Sequence, residues 1–220
     1  MHFTDRADAG RALAGHLRAY AGRSDVVVLA LPRGGVVVGF ELARELALPL
    51  DIYLVRKLGV PGREELAMGA IAGDGTRVLN TSVIAHLGIT DEEIASIALH
   101  EGRELERREQ AYRGGRAATE IRGRTVILVD DGLATGATMQ AAIQALEEQH
   151  AAAIVVAAPV ASREAVAAIR QEGHNVVVLD MPEPFDGVSR WYADFTPTED
   201  EEVIELLDTA AHATSERRQK

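Results

Sequence analysis

Short apolar runs recur along the chain, and their length and β-branched residues favour buried strands over helices. The four clearest runs are residues 26–31, 126–129, 154–158 and 176–179. Segments of helical periodicity lie between most of them; Met139, Ile143 and Leu146, for example, fall on one helix face. A fifth strand candidate is 52–55. Because apolar strands that alternate with helices form parallel sheets covered on both faces, the pattern predicts an α/β fold with a parallel sheet of about five strands and helices on both faces.

Two regions depart from this alternation. Residues 59–124 contain only short strand candidates and a long helix, which a capping box of Thr90 and Glu93 would open. We interpret this region as a flexible flap inserted into the same domain. Residues 181–197 combine three prolines with four aromatic residues and are expected to form a small C-terminal cap. The whole chain, residues 1–220, is thus predicted to be a single domain.

The composition narrows the class of protein. The 220 residues include 34 acidic and 23 basic side chains, a formal charge of −11, and no cysteine. The lack of cysteine excludes a disulfide scaffold, a thiol nucleophile and cysteine-bound zinc or iron–sulfur centres. No apolar run reaches the roughly 18 residues that a membrane-spanning helix needs, and the N-terminus lacks the features of a signal peptide. The acidic balance argues against nucleic acid as a partner. We therefore expect a cytoplasmic protein that handles a small molecule.

The stretch 125–138 carries the clearest chemistry. A buried strand is followed at once by Asp130 and Asp131, then by a loop of small residues, and a helix begins near Thr138. Such a loop offers backbone N–H groups to an anion at the carboxyl end of a strand, where ligands of open α/β sheets bind. Thr135 and Thr138 add hydroxyl donors for a phosphate, and the carboxylates suit vicinal hydroxyls. The combination predicts a cradle for a ribose 5-phosphate; the alternative is that Asp-Asp-Gly is only a turn and a helix cap.

The string from Asp130 to Thr138 resembles the signature with which type I phosphoribosyltransferases hold phosphoribosyl pyrophosphate (PRPP). The resemblance extends over most of the chain and is closest to a group of uncharacterised members that share the strings LPRGG, VRKLG, ELAMGAI and WYADF. In the family, two adjacent acids hold the ribose 2′ and 3′ hydroxyls, so the resemblance implies that Asp130 and Asp131 are the catalytic residues. The residues implied to bind the ribose 5-phosphate are Asp130, Asp131, Ala134, Thr135, Gly136, Ala137 and Thr138.

A second loop is expected to bind the pyrophosphate group. The strand 26–31 runs through Pro32 into Arg33, Gly34 and Gly35, and a helix follows. Glycines at such a turn expose backbone donors, and the arginine offers a guanidinium fork to phosphate oxygens. The family places its pyrophosphate loop at this point. The alternative is a plain strand-to-helix turn with a surface arginine.

Further cations are assigned by the resemblance to the same group. Arg56 and Lys57 follow the strand candidate 52–55, so we expect two cations at the carboxyl end of a strand, as in orotate-type members; a solvated surface pair is the alternative. Family members also close a loop over PRPP, and Arg107 and Arg108 are the candidates for that contact. Glu–Arg pairs along a helix face explain these two arginines equally well.

The acceptor is left open by the sequence. Ala134 stands where enzymes for 6-oxopurines commonly carry a third aspartate. In the cap, Phe185 and Trp191 are candidates for stacking on a planar base, although Trp191 could instead anchor the cap to the core.

The resemblance implies that a nitrogenous base or related acceptor displaces pyrophosphate from PRPP. Mg2+ would assist and would be bound mainly through PRPP oxygens and water, so no metal-ligand cluster of the protein is expected. The alternative is a regulator that senses PRPP or a nucleotide without turnover. Dimers are common in the family, so a homodimer is a further expectation.

Overall fold

The computed structural model describes residues 2–218, without the side chains of Glu64, Glu65 and Arg218. The strands in chain order are β1 (Val26–Ala30), β2 (Leu50–Ile52), β3 (Val55–Val60), β4 (Arg63–Ala72), β5 (Arg77–Leu79), β6 (Thr125–Val129), β7 (Ala153–Val160) and β8 (Asn175–Asp180). The helices are α1 (Arg6–His16), α2 (Gly34–Glu45), α3 (Thr81–Leu87), α4 (Asp91–Arg113), α5 (Ala137–Glu148), α6 (Arg163–Gln171) and α7 (Asp200–Arg218).

Five strands form one parallel sheet in the order β2-β1-β6-β7-β8, which confirms the predicted architecture. From β1 the chain moves outward to β2, and from β6 it moves outward in the opposite direction to β7 and β8. The order of strands therefore reverses between β1 and β6, which are direct neighbours with Val28 opposite Ile127. Such a reversal opens a crevice at the carboxyl ends of the two central strands.

Helices cover both faces of this sheet because the central strands are apolar throughout. On one face Val27 and Leu128 pack against Ile143 of α5 and Ile169 of α6. On the other face alternate residues such as Val28 pack against α1 and α2. Neighbouring positions along a strand thus enter different cores, as the period of two in a strand requires. All five residues of β1 and of β6 are buried, which explains why neither strand shows a polar face in the sequence.

The region between β2 and β6 folds into a small antiparallel sheet, β3-β4-β5, with α3 and α4. The predicted single strand 52–55 is wrong in this respect. β2 ends at Ile52, and Val55 already pairs with Ala72 of β4 in the second sheet. The run is apolar on both sides of the break, so its hydrophobic pattern could not show where the chain changes sheets. The movement predicted for this region as a flap stays a prediction.

The capping box that was predicted to open the long helix is present. The hydroxyl oxygen of Thr90 accepts from the Glu93 amide at 3.2 Å, and the Glu93 carboxylate accepts from the Thr90 amide at 2.9 Å. The helix that they open is α4. Its buried residues, including Leu105, join a third apolar cluster with Leu58 of β3 and Val203 of α7.

Residues 181–197 pack against the start of the chain. The Phe3 amide donates to the Trp191 carbonyl at 2.9 Å, and the Ala193 amide donates to the Phe3 carbonyl at 2.8 Å. Phe3 and Tyr192 are buried together with Val160, so the segment is tied to α1 and to the end of β7. Among residues 2–218, no helix is long and apolar enough to cross a membrane.

Candidate functional site

Two loops meet at the carboxyl ends of β1 and β6. The β1–α2 loop is residues 31–33, with Gly34 and Gly35 at the start of α2, and the β6–α5 loop is residues 130–136. The Leu31 amide donates to the Val129 carbonyl at 2.9 Å. A Cβ atom on Gly35 would lie only 3.0 Å from the Asp130 Cα, so the two loops touch through a glycine. The predicted ribose-phosphate and pyrophosphate segments are therefore side by side at the strand-order reversal, where ligands of such sheets bind.

The β6–α5 loop presents the backbone of a helix N-terminus. Gly136 caps α5 with φ +72°, a left-handed conformation that glycine adopts at little cost, and it has no side chain to cap the helix. The Ala137 amide makes one long contact, 3.4 Å, with the Thr135 hydroxyl oxygen. The first amides of α5 consequently have no partner within the helix and carry its partial positive charge. Thr135 and Thr138 lie beside them, and both are exposed. Ser162 fixes the loop, because its hydroxyl donates to the Ala134 carbonyl at 2.6 Å.

The two carboxylates each use one oxygen within the protein. Asp130 Oδ1 accepts from the Asp131 amide at 2.8 Å, and Asp131 Oδ2 accepts from Arg6 Nε at 2.8 Å. The Tyr192 hydroxyl donates to the Asp131 carbonyl at 2.6 Å. Burial raises the pKa of the Asp130 carboxyl well above its usual range, and the negative charge of Asp131 raises it further, whereas Arg6 lowers it in part. The pair is thus an unfavourable electrostatic arrangement of the kind that concentrates at functional sites.

Arg6 is a site residue that the sequence reasoning missed. Its guanidinium lies 3.9 Å from the centre of the Phe195 ring, and its Nη1 donates to the Thr196 carbonyl at 2.8 Å. A signal was present: Arg6 shares the buried face of α1 with Ala9 and Leu13, at helical spacing. A long cation on an apolar helix face needs a charged partner, because isolated buried charges are costly.

Arg33 lies at the mouth of the crevice, after a cis peptide bond between Pro32 and Arg33. Its side chain is 45% exposed, and its Nη1 is 3.7 Å from the carboxylates of both Glu199 and Asp200 at the start of α7. Asp200 also accepts a hydrogen bond from the Tyr112 hydroxyl at 2.6 Å. The structure therefore keeps Arg33 beside the predicted pyrophosphate site, but with two acidic neighbours that the sequence did not indicate.

Arg107 and Arg108 lie on α4, and both donate to Glu104, with nitrogen–oxygen distances of 2.9–3.0 Å. These are Glu–Arg pairs along a helix face, as in the alternative explanation of the two arginines. They lower the pKa of Glu104 to about 2. Burial and the bond to Asp200 raise the pKa of Tyr112 to about 12, and the charges of Arg108 and Arg33 both act against this rise. The positive charges of Arg108 and Arg33 thus both lower the pKa of the Tyr112 hydroxyl. A contact of Arg107 or Arg108 with PRPP stays a prediction.

The placement expected for Arg56 and Lys57 is wrong, because both residues lie inside β3 and not at the carboxyl end of a strand. They end up there because the chain leaves the first sheet after Ile52, three residues earlier than expected. Arg56 pairs with Glu101 of α4. Lys57 lines a cavity of about 340 Å³ together with Ala137 of α5. Lys57 is therefore the cation of this pair that the fold brings next to the β6–α5 loop.

The aromatic residues of the cap pack within the protein. The Trp191 ring lies 5.3 Å from the ring of His2, and Phe185 packs against the cluster that contains Phe3. Val188 covers Gly132, where a Cβ would lie 2.5 Å from Val188 Cγ1. These contacts are the ones expected if Trp191 anchors the cap to the core. The stacking of Phe185 or Trp191 on a base stays a prediction.

A larger cavity of about 480 Å³ lies away from the crevice, between β2 and the turn of the β4–β5 hairpin. The buried carboxylate of Asp51 in this cavity already has partners within the protein. It accepts from Arg113 Nε at 3.1 Å and from the Thr119 amide at 2.8 Å. In the part of the chain that the structure describes, no three histidines or acids are grouped so that they could hold a metal ion.

Comparison with known proteins identifies the family. The sequence profile described as the phosphoribosyl transferase domain matches residues 3–189. The chain is 44% identical over 208 residues to a candidate phosphoribosyl transferase of Mycobacterium tuberculosis, found in strains CDC 1551 and H37Rv. The match covers 94% of this chain and 47% of the relative, so the chain spans about half the length of these curated relatives. The chain therefore belongs to the phosphoribosyl transferase family, as the resemblance implied.

Solved structures share the fold of this chain. The crystal structure of the protein TT1426 from Thermus thermophilus has a TM-score of 0.85 and 41% sequence identity, and the match covers 94% of this chain and 98% of that one. A hypothetical protein from Neisseria gonorrhoeae, solved with bound ppGpp, has a TM-score of 0.50 at 15% identity over 95% of this chain and 94% of its own. At that identity the likeness concerns the fold alone.

Proposed function

We propose that this chain transfers a phosphoribosyl group from PRPP to a nitrogenous base or a related acceptor and releases pyrophosphate. The observation that carries the proposal is the pairing of two partly buried acids with the uncapped N-terminus of α5, directly beside a glycine turn at the strand-order reversal. Hydroxyl acceptors and phosphate donors then lie a few residues apart, as a ribose 5-phosphate requires.

Each part of the substrate has candidate partners in this arrangement. The 5′-phosphate would accept hydrogen bonds from the amides of residues 135–138 and from the hydroxyls of Thr135 and Thr138. The ribose hydroxyls would donate to Asp130 and to Asp131. The pyrophosphate would lie against the β1–α2 loop, with Arg33 as its cation. These contacts fix C1 of the ribose in position, which removes part of the entropic cost of the reaction.

In the reaction a lone pair of the acceptor nitrogen forms a bond to C1, and a proton carried by that nitrogen is released to water. The bond from C1 to the pyrophosphate oxygen breaks, and its electron pair leaves with the pyrophosphate. Negative charge accumulates on the leaving group in the transition state, so Arg33 and the backbone amides at Gly34 and Gly35 would stabilise it. The carboxylates of Asp130 and Asp131 would keep the ribose oriented while C1 becomes more positive.

Mg2+ belongs to this proposal as an ion that arrives with PRPP. The donors beside the crevice fit that arrangement, because Asp130 and Asp131 each already use one oxygen within the protein. PRPP oxygens and water would supply most of the ligands, as Mg2+ prefers in phosphate sites. When bound, the ion would neutralise part of the charge on the pyrophosphate.

The experiment that tests the proposal is an assay of pyrophosphate release from PRPP with a panel of purine, pyrimidine and pyridine acceptors. We expect turnover with at least one acceptor and a loss of about 100-fold or more in Asp131→Asn, because charge-assisted hydrogen bonds to the ribose disappear. Arg23→Gln is the matched control, since this exposed residue pairs with the exposed Asp25 and takes no part in the proposed contacts.

The outcomes separate the two functions considered for this fold. PRPP binding without turnover across the panel would favour the regulator that only senses PRPP. No PRPP binding at all, measured by calorimetry at millimolar ligand, would contradict both the transfer and the sensing of PRPP.

A further inference from the structure

Asp131 is bound by a residue from a distant part of the chain. Arg6 of α1 approaches its carboxylate through Nε alone, and both side chains are mostly buried, at 10% and 16% exposure. Arginine–carboxylate pairs often use two parallel hydrogen bonds, which occupy both oxygens. Here Arg6 uses Nη1 for the Thr196 carbonyl instead. Among residues 2–218, no protein group forms a hydrogen bond with Asp131 Oδ1, so one carboxylate oxygen is left for a ligand.

We propose that Arg6 is a positioning residue of the ribose site, which holds Asp131 by Oδ2 and leaves Oδ1 to accept a hydrogen bond from a ribose hydroxyl. This inference rests on the proposed function. Arg6 does not contact the reacting atoms in this account; it acts through Asp131.

A second buried arginine shows what a purely structural pair looks like in this chain. Arg113 donates to Asp51 at 3.1 Å and to the Ile52 carbonyl at 3.1 Å, and it also pairs with Glu109. Asp51 is saturated there, because its other oxygen accepts from the Thr119 amide. Asp131 has only the one side-chain partner in the described chain, and it lies at the crevice. The two carboxylates therefore differ: both oxygens of Asp51 accept hydrogen bonds from the protein, whereas only one oxygen of Asp131 does so in the described chain.

The surroundings of Arg6 show that its position is closely defined. Phe195 lies against the guanidinium at 3.9 Å, and Thr196 fixes Nη1. A Cβ on Gly34 would lie 2.7 Å from Arg6 Nε and 2.0 Å from Asp131 Oδ2. The glycine beside the β1–α2 loop therefore makes room for the pair. The cap thus contributes to the ribose site by holding Arg6.

The charge of Arg6 also affects the acid pair. The groups that face the two carboxylates are Arg6 from α1, the Tyr192 hydroxyl from the cap, and the uncharged glycines beside the β1–α2 loop. Arg6 is the cation that opposes the raised pKa of the Asp130 carboxyl. Its removal should raise that pKa further. Ribose binding needs ionised carboxylates, so the loss of binding on acidification should then begin at a higher pH.

A double-mutant cycle with ribose 5-phosphate as ligand tests the inference. Calorimetry would compare Arg6→Gln, Asp131→Asn and the double variant with the wild type, and pyrophosphate would be titrated separately. We expect Arg6→Gln to weaken ribose 5-phosphate binding about tenfold and pyrophosphate binding by less than about threefold. In the Asp131→Asn background, Arg6→Gln should have almost no further effect, because it acts through that carboxylate.

A pH profile separates positioning from general loss of structure. The acidic limb of ribose 5-phosphate binding should move to higher pH in Arg6→Gln, stay in place in Arg6→Lys, which keeps the charge, and stay in place in the control Arg23→Gln. If Arg6→Gln does not fold, Arg6→Lys should still bind more weakly than wild type, because an ammonium cannot contact Asp131, Thr196 and Phe195 together.

Two results would overturn the inference. One is strict additivity of the two substitutions in the cycle, and the other is an unchanged pH profile in a folded Arg6→Gln variant. Failure of the wild type itself to bind ribose 5-phosphate or PRPP would instead contradict the proposed function, so the two failures are distinguishable.

Discussion

The two loops at the crevice differ in how far they are prepared for a ligand. In the β6–α5 loop the candidate phosphate donors are backbone amides and threonine hydroxyls. In the β1–α2 loop the principal cation, Arg33, already lies beside Glu199 and Asp200. In the proposed site a ribose 5-phosphate would therefore bind without displacing an ion pair, whereas pyrophosphate would have to exchange with two carboxylates.

The exchange at Arg33 should cost little. Its distances to both carboxylates are 3.7 Å and all three side chains are largely exposed. Exposed ion pairs of this kind contribute about 0–1 kcal/mol. We therefore expect the β6–α5 loop to need little change for a ribose 5-phosphate and the β1–α2 loop to need side-chain rearrangement for the leaving group, and the predictions that follow test this division.

The largest effect is expected for Gly34→Ala, because it disturbs both loops. The new Cβ would lie 2.0 Å from Asp131 Oδ2, so the carboxylate and Arg6 must move. We expect PRPP binding, measured by calorimetry, to weaken about 100-fold or more. Gly15→Ala is the matched control: nothing lies within 4 Å of its Cβ, and helix propensity should stabilise the fold by about 1 kcal/mol. Unchanged binding in a folded Gly34→Ala variant would contradict the close contact of the loops.

Arg33→Ala should weaken the binding of pyrophosphate much more than the binding of ribose 5-phosphate. Loss of a charge-assisted contact should weaken pyrophosphate binding about 10- to 50-fold, and ribose 5-phosphate binding should change less than about threefold. Arg23→Ala, at an exposed arginine that pairs with Asp25, controls for the change of net charge. Equal losses for both ligands would mean that Arg33 does not belong to the pyrophosphate site alone.

Asp130→Asn should stabilise the protein at neutral pH. The pKa of Asp130 is raised in the folded state, so its ionisation opposes folding increasingly as the pH rises above the unfolded pKa. In urea unfolding, the variant should be more stable than wild type at pH 8, and the difference should vanish below about pH 4, where the carboxyl is protonated in both states.

Asp194→Asn should change the stability in the opposite direction in the same urea unfolding experiment. Hydrogen bonds from Thr196 lower the pKa of Asp194, so its ionised form favours folding. The variant should be less stable than wild type at neutral pH and should approach it on acidification. The same sign for both variants would contradict the unfavourable environment assigned to Asp130.

The smallest effect is expected for Glu199→Gln. Removal of one carboxylate next to Arg33 should strengthen pyrophosphate binding about two- to threefold, because the competing pair is exposed. Ribose 5-phosphate binding should stay unchanged. Weaker pyrophosphate binding in this variant would show that Glu199 supports the site and does not compete with the ligand.

Local pattern in the sequence was sufficient for the parallel sheet and for the β6–α5 loop. Apolar strands, helix periodicity and the string from Asp130 to Thr138 all lie within short windows. The change of sheets after Ile52 could not be predicted, because the apolar run continues across it. For that reason Arg56 and Lys57 were placed wrongly.

The remaining features depend on contacts between distant positions. Arg6 and Asp131 are 125 residues apart, and Tyr112 and Asp200 are 88 apart. No local signal pairs such residues, although the place of Arg6 on the apolar face of α1 shows that it needs a partner. The charged contacts of the site therefore depend on packing between distant segments, whereas the backbone of the β6–α5 loop could be predicted from a short stretch of sequence.

The central claim, that a sugar phosphate binds where β6 ends and α5 begins, is tested most directly by a crystal structure of the chain with ribose 5-phosphate. The account predicts phosphate oxygens about 3 Å from the amides of residues 135–138 and ribose hydroxyls on the free oxygens of Asp130 and Asp131. A ligand bound elsewhere, such as the cavity beside Asp51, with the acids at the crevice left untouched, would contradict it.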